Sequence, residues 1–151
     1  MSKKRLAGII VGCVIVIAAI GTPLGPKVVT DYSTLLRYLR ASGVSIREER
    51  QASWHLFYYA VWTIVEVDGI PIQVFEFANI KDMEADASCV SPDGYFIEKY
   101  LGDDRWSFAT YEWIDIPHFY KAGRIIVTYI GNNYSMISLL ENAFGKQFAG
   151  M

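Results

Sequence analysis

Cysteine and histidine are scarce in this chain, with two of each among 151 residues. Two cysteines do not make a disulfide framework, and Cys13 lies inside an apolar run. With only two histidines beside them, an ordinary four-ligand zinc site is not expected either. Basic excess is also lacking: 14 Lys and Arg stand against 16 Asp and Glu, for a net charge of −2. Nothing is left over to displace counterions from phosphate, so nucleic acid is not an expected partner. The chain carries no G-x-S-x-G, no H-E-x-x-H and no phosphate-binding loop. No catalytic residue, metal or cofactor is therefore assigned from motifs.

Apolar side chains are what the sequence has in quantity, 52% of residues, with 15% aromatic. That fraction is too high for disorder, and the length fits one domain. The apolar residues are unevenly placed. Lys3, Lys4 and Arg5 precede a stretch from Leu6 to Gly21 without one charged residue, closed by Pro23, Gly25 and Pro26. A basic segment followed by an apolar run is read by the export machinery, and the positive-inside bias keeps residues 1–5 cytoplasmic. Three fates are open. As an uncleaved anchor, Leu6 to Gly25 spans about 30 Å, near the hydrocarbon thickness of a bilayer. As a cleaved signal, Ala19 and Gly21 are small residues before Thr22. As a lipoprotein signal, Ile10-Val11-Gly12-Cys13 precedes a modifiable cysteine. The chain thus divides into a membrane anchor or signal at 1–25, a linker at 26–30 and an extracytoplasmic domain at 31–151. The expected location is the bacterial cytoplasmic membrane, with the domain outside the cytoplasm.

Within the domain, Thr30 or Asp31 is expected to cap a helix carrying Tyr32, Leu35, Leu36 and Leu39 on one stripe, with Gly43 ending it. Val67-Asp68-Gly69-Ile70 predicts a two-residue hairpin, because both central positions need positive φ. Its register pairs Glu66 with Pro71, Val65 with Ile72 and Thr63 with Val74. The missing N–H of Pro71 then points away from its partner, so that the second strand is an edge there, or is paired only beyond that point. Asn79 is expected to cap a second helix with Ile80, Met83, Ala87 and Val90 on one face, and Ser91-Pro92-Asp93-Gly94 to end it in a turn. A strand is predicted at about 106–114, a corner at 117–123, and a central strand at 124–130 that is apolar on both faces. Asn132 or Asn133 opens the last helix, lined by Met136, Leu140, Ala143 and Phe144. Residues 72–90 align with 125–143 at one offset, which raises an internal strand–helix duplication. The expected fold class is α+β, a mainly antiparallel sheet with helices packed on one face.

The segments Val67-Asp68-Gly69, Gln73-Val74-Phe75-Glu76-Phe77, Ser91-Pro92-Asp93-Gly94 and Pro117-His118-Phe119-Tyr120-Lys121-Ala122-Gly123-Arg124 resemble a group of uncharacterised bacterial exported proteins, many of them similar to lipoproteins. The ending Leu139 to Gly150 is similar too. The resemblance implies export and no particular activity. Cys13 departs from the pattern by lying in mid-segment.

Candidate site residues cluster in two places. His118, Tyr120, Lys121 and Arg124 crowd the expected corner, where Lys121 and Arg124 suit an anion or carboxylate and His118 suits proton transfer. Alternatively, Phe119 plugs the core there while His118 and Lys121 face water. Glu76 shares the alternation face of Ile72 and Val74 and, if buried, requires a partner such as Arg124 or Tyr111. Trp54, Tyr58 and Tyr59 form an aromatic patch suited to a glycan, an envelope protein or the bilayer surface. Asp93, Asp103 and Asp104 lack calcium-loop spacing, and Cys89 reads as an inert thiol. The functional expectation is a binding, accessory or sensor module of the cell envelope, tethered through residues 6–25. The alternatives are an envelope hydrolase or transferase using the His118/Glu76 region, and a structural subunit of a membrane complex.

Overall fold

The computed structural model describes residues 29–50, 57 and 59–150. The expected membrane segment, Trp54 and Tyr58 lie outside them. Helix α1 (Tyr32–Ala41) and strand β1 (Ile46–Arg50) precede a hairpin of β2 (Val61–Val67) and β3 (Ile70–Glu76). Helix α2 (Ile80–Ala87) leads to a second hairpin, β4 (Phe96–Gly102) and β5 (Arg105–Thr110). A third, β6 (Pro117–Ala122) and β7 (Ile125–Ile130), is followed by α3 (Tyr134–Phe144) and the short β8 (Ala149–Gly150). Six strands form one sheet in the order β1-β2-β3-β7-β6-β8, antiparallel at every junction, while β4 and β5 form a separate two-stranded sheet whose Ile97 also bridges Val90.

The Asp68-Gly69 turn has positive φ at both positions, 51° and 78°, and sets the register as expected: Glu66 opposite Pro71, Val65 opposite Ile72, Thr63 opposite Val74. Pro71 has no N–H to give on its outer side, and β7 pairs with β3 from Ile72 onward. Strand β7 is the central strand read from its apolar run, with Ile125 to Tyr129 all buried.

Asp31 caps α1 by accepting from the Thr34 N–H, and Thr34 returns the bond through its hydroxyl, closing a capping box. Asn79 caps α2 and Asn133 caps α3 more simply, each side chain accepting the backbone N–H three residues on. Leu35, Leu36 and Leu39 of α1 and Met136, Leu140, Ala143 and Phe144 of α3 are buried against Val65, Ile72, Val74, Tyr120, Ile125 and Val127. Met83 and Ala87 of α2 are buried instead with Phe75, Phe119 and Ile126, joined by Ile97 of β4. These are opposite faces of the sheet.

The expectation of helices on one face is thereby corrected. Strands β6 and β7 are apolar on both sides, so each side requires a cover: α1 and α3 on one, α2 and the β4–β5 hairpin on the other. The duplication is corrected with it, since α2 and α3 leave equivalent strands for opposite faces. Ile80, placed on the core face of α2, is exposed. The strand expected at 106–114 stops at Thr110, and β4 was not anticipated.

Candidate functional site

Residues 117–122 are a strand, not a corner. The turn is reduced to Gly123 and Arg124, since Ala122 already pairs with Ile125. Gly123 has φ +53°, and a Cβ there would lie 2.0 Å from the Thr30 carbonyl oxygen, so both conformation and space require glycine. Strand alternation then sends His118 and Tyr120 to the α1/α3 side, and Phe119 and Lys121 to the α2 side.

His118 is buried, contrary to the expectation that it faces water. Its ring stacks on Tyr129 at 5.7 Å. Nε2 lies 2.9 Å from the Gly131 carbonyl oxygen and Nδ1 lies 2.6 Å from the Gln147 side chain. A carbonyl only accepts, so Nε2 carries the hydrogen. The Gln147 atom placed against Nδ1 is Oε1; in the neutral ring Nδ1 accepts, and the amide is then turned to present its nitrogen. Phe119 and Tyr120 are both fully buried, on opposite faces. Burial pushes the Tyr120 hydroxyl up to about 12, with smaller contributions from the Glu141 charge and from Tyr129. Lys121 is half-buried and ion-paired with Glu84 of α2.

Arg124 and Glu76 do meet, at 2.9 Å; Arg124 is one of the two partners expected for Glu76 if buried. Arg124 also donates from Nη1 to the Phe77 carbonyl at 3.0 Å, and its backbone N–H donates to the Thr30 carbonyl at 2.8 Å. The same Glu76 oxygen accepts the Tyr32 N–H at 3.1 Å, in the first turn of α1, where the helix dipole favours a carboxylate. Asp31, one residue earlier, is held below the usual carboxylate range by the Thr34 N–H, further by Ser33, Thr34 and Arg124, against some burial.

The candidate residues therefore do not converge. Glu76 stands opposite Ile125 and His118 opposite Tyr129, four residues apart on β7 or about 13 Å along the strand. Each polar side chain ties a different pair of elements: His118 the C-terminal segment, Lys121 the helix α2, Arg124 and Glu76 the helix α1. Gln147 and Glu84 were missed as partners: Lys121 faces α2 only once residues 117–122 are a strand and α2 covers that side, and no local signal marked Gln147.

A buried ion pair was also missed. Asp86 of α2 has a side chain 5% exposed and pairs with Lys99 of β4, whose ammonium lies 5.0 Å from the Tyr59 ring centroid. Beside it, Cys89 donates its thiol to the Ala85 carbonyl at 3.3 Å. Burial, and then the Asp86 charge, push that thiol up, as suits an inert cysteine. Asp93 accepts from the Tyr95 N–H and the Ser91 hydroxyl inside its own turn. Among the described residues no group of three His, Cys, Asp or Glu could hold a metal ion. Of the aromatic patch, Tyr59 is described and exposed; Trp54 and Tyr58 lie outside the described residues.

Among the described residues no helix is long and apolar enough to cross a membrane; residues 6–25 are not among them. Searches of protein-family models, of curated proteins and of solved structures give no match to the chain.

Proposed function

We propose that the chain is a membrane-tethered module of the bacterial cell envelope, with the folded domain on the extracytoplasmic side, working by binding rather than by catalysis. The observation that carries this reading is the amino terminus: Lys3, Lys4 and Arg5, then an uncharged run from Leu6 to Gly21, then a short Pro/Gly linker into the domain. The resemblance to exported proteins supports the same compartment.

Binding is favoured over hydrolysis or transfer by the polar geometry. A general acid or base needs a partner within hydrogen-bond reach of a reacting atom. His118 is buried between a carbonyl and an amide, and Glu76 is occupied by an arginine and a helix N-terminus at the other end of β7. Neither is free to meet a substrate as placed. Membrane fractionation of the full chain tests the tether: it should remain in the bilayer fraction after alkaline wash, and release into the soluble fraction would contradict the anchor.

A further inference from the structure

Among the described residues, two strands longer than a pair of residues leave one side without a neighbouring strand: β1 at the end of the large sheet, and β5 in the small one. The outer side of β4 is taken. Glu98 donates to the Cys89 carbonyl, the Phe96 carbonyl accepts from the Ser91 N–H, and Ile97 bridges Val90. An open edge is a template for another strand, and folded chains usually guard it with charge or proline. β1 is guarded, with Arg47, Glu48, Glu49 and Arg50 in succession. β5 is not: Trp106-Ser107-Phe108-Ala109-Thr110 holds neither charge nor proline, and Phe108 is 61% exposed.

The hydrogen-bond pattern fixes what this edge presents. Tyr111 donates to the Tyr95 carbonyl, so the residues of β5 whose backbone groups face β4 are Ala109 and Ser107. Trp106, Phe108 and Thr110, opposite Tyr100, Glu98 and Phe96, turn their N–H and C=O groups outward. Among the described residues no backbone hydrogen bond reaches them from that side. Across β4 the same alternation holds, since Phe96 and Glu98 are the residues bonded to Ser91 and Cys89.

Charge decides which strand adds there. Pairing with an antiparallel second copy keeps side chains on matching faces only if the two-fold axis passes through a residue. On β1 every interior axis opposes like charges: Arg47 to Arg47, Glu48 to Glu48 or Glu49 to Glu49. On β5 an axis through Phe108 opposes no charges between Trp106 and Thr110 and uses all three outward-facing residues. It sets Phe108 against its own copy and Trp106 against Thr110. Asp104 and Glu112, the nearest like-charged pair in that register, lie beyond the ends of the strand. Phe96 already rests on Phe108 at 5.9 Å between ring centroids, and the pairing continues that row into the second copy.

We infer that β5 pairs with β5 of a second copy of this chain, antiparallel about an axis at Phe108, joining two hairpins into one four-stranded sheet. This is independent of the tethered reading. The test is sedimentation velocity of the full chain in a nonionic detergent matched in density to the solvent, which counts chains per particle. Three variants are compared with it. Thr110→Pro removes an outward N–H without touching the β4–β5 ladder. Phe108→Lys sets like charges on the axis at an exposed position. Tyr100→Lys charges the same face of the hairpin one strand in from the edge.

Expected are two chains per particle for the unaltered protein and for Tyr100→Lys, and one for Thr110→Pro and Phe108→Lys, with circular dichroism unchanged throughout. A single chain per particle for the unaltered protein overturns the inference. A pair that survives Thr110→Pro or Phe108→Lys also overturns it, and assigns association to another part of the chain. Loss of the pair in Tyr100→Lys alone shows contact through the aromatic face instead of the edge, which overturns it too. Should Thr110→Pro lose its fold, Phe108→Lys decides.

Discussion

Glu76 and Arg124 meet 2.9 Å apart at the end of the sheet, and the oxygen that takes the guanidinium also takes the first backbone N–H of α1. One carboxylate therefore joins the end of β3, the β6–β7 turn and the helix that opens the domain. Glu76→Ala should lower stability by about 1–2 kcal/mol, the range for losing hydrogen bonds to a charged group at a partly exposed site. Glu76→Gln keeps an acceptor for Tyr32 and should lose less. Urea midpoints of both variants, each with and without Arg124→Met, give the coupling directly; no coupling would show the pair to be incidental.

The same junction depends on Gly123. Gly69 also has positive φ, but a Cβ there would meet nothing within 4 Å, whereas at Gly123 it would collide with the Thr30 carbonyl. Gly69→Ala should cost about 1–2 kcal/mol, the strain of a left-handed alanine. Gly123→Ala should cost clearly more, read as the larger fall in melting temperature.

Local rules carried most of the fold. The Asp-Gly turn, its register, the place of Pro71, the three helix caps and the buried stripes of α1 and α3 are all properties of short segments, and they are legible because turn chemistry and capping act within a few residues. The division of helices between two faces was not legible: an amphipathic helix records that it is buried, not which side of a sheet receives it. Residues 117–122 misled for a related reason. Proline at their start, with lysine, glycine and arginine after, imitates a loop, and only the neighbouring β7 and β8 make them a strand. That error exposed His118 on paper and buried it in the fold. Of the candidate site, alternation made legible only that Glu76 needs a partner, with Arg124 and Tyr111 both open, while Gln147 became a partner only through tertiary packing.

His118 and Lys121 now separate sharply. His118→Ala leaves the Gly131 carbonyl and the Gln147 amide unpaired in a buried place and should cost about 1–3 kcal/mol. Lys121→Ala removes a partly exposed ion pair with Glu84 and should cost less than about 1 kcal/mol. Equilibrium unfolding of the two variants checks the order; equal, near-zero effects would mean that His118 faces water after all.

Tyr120 sets an alkaline limit. Its hydroxyl has no hydrogen-bond partner among the described residues, and its proton is held up to about 12 against an ordinary value of 10.0. Between those values the unfolded chain releases a proton that the folded chain keeps, so this contribution to stability is complete below the lower value and falls as pH rises towards the upper one. Phenolate absorbance should show one tyrosine ionising late, and Tyr120→Phe should remove that step without loss of stability, since an unpaired buried hydroxyl contributes little.

The proposal that a basic and apolar amino terminus carries this α+β domain across the membrane and holds it there is open to a topology experiment. The full chain, expressed in bacteria, would be probed with protease added to intact spheroplasts and to inverted membrane vesicles. Residues 31–151 should be cleaved or shed in spheroplasts and protected in inverted vesicles, while the chain sediments with the membrane. A domain cleaved only in inverted vesicles would place it in the cytoplasm and overturn the proposed tether.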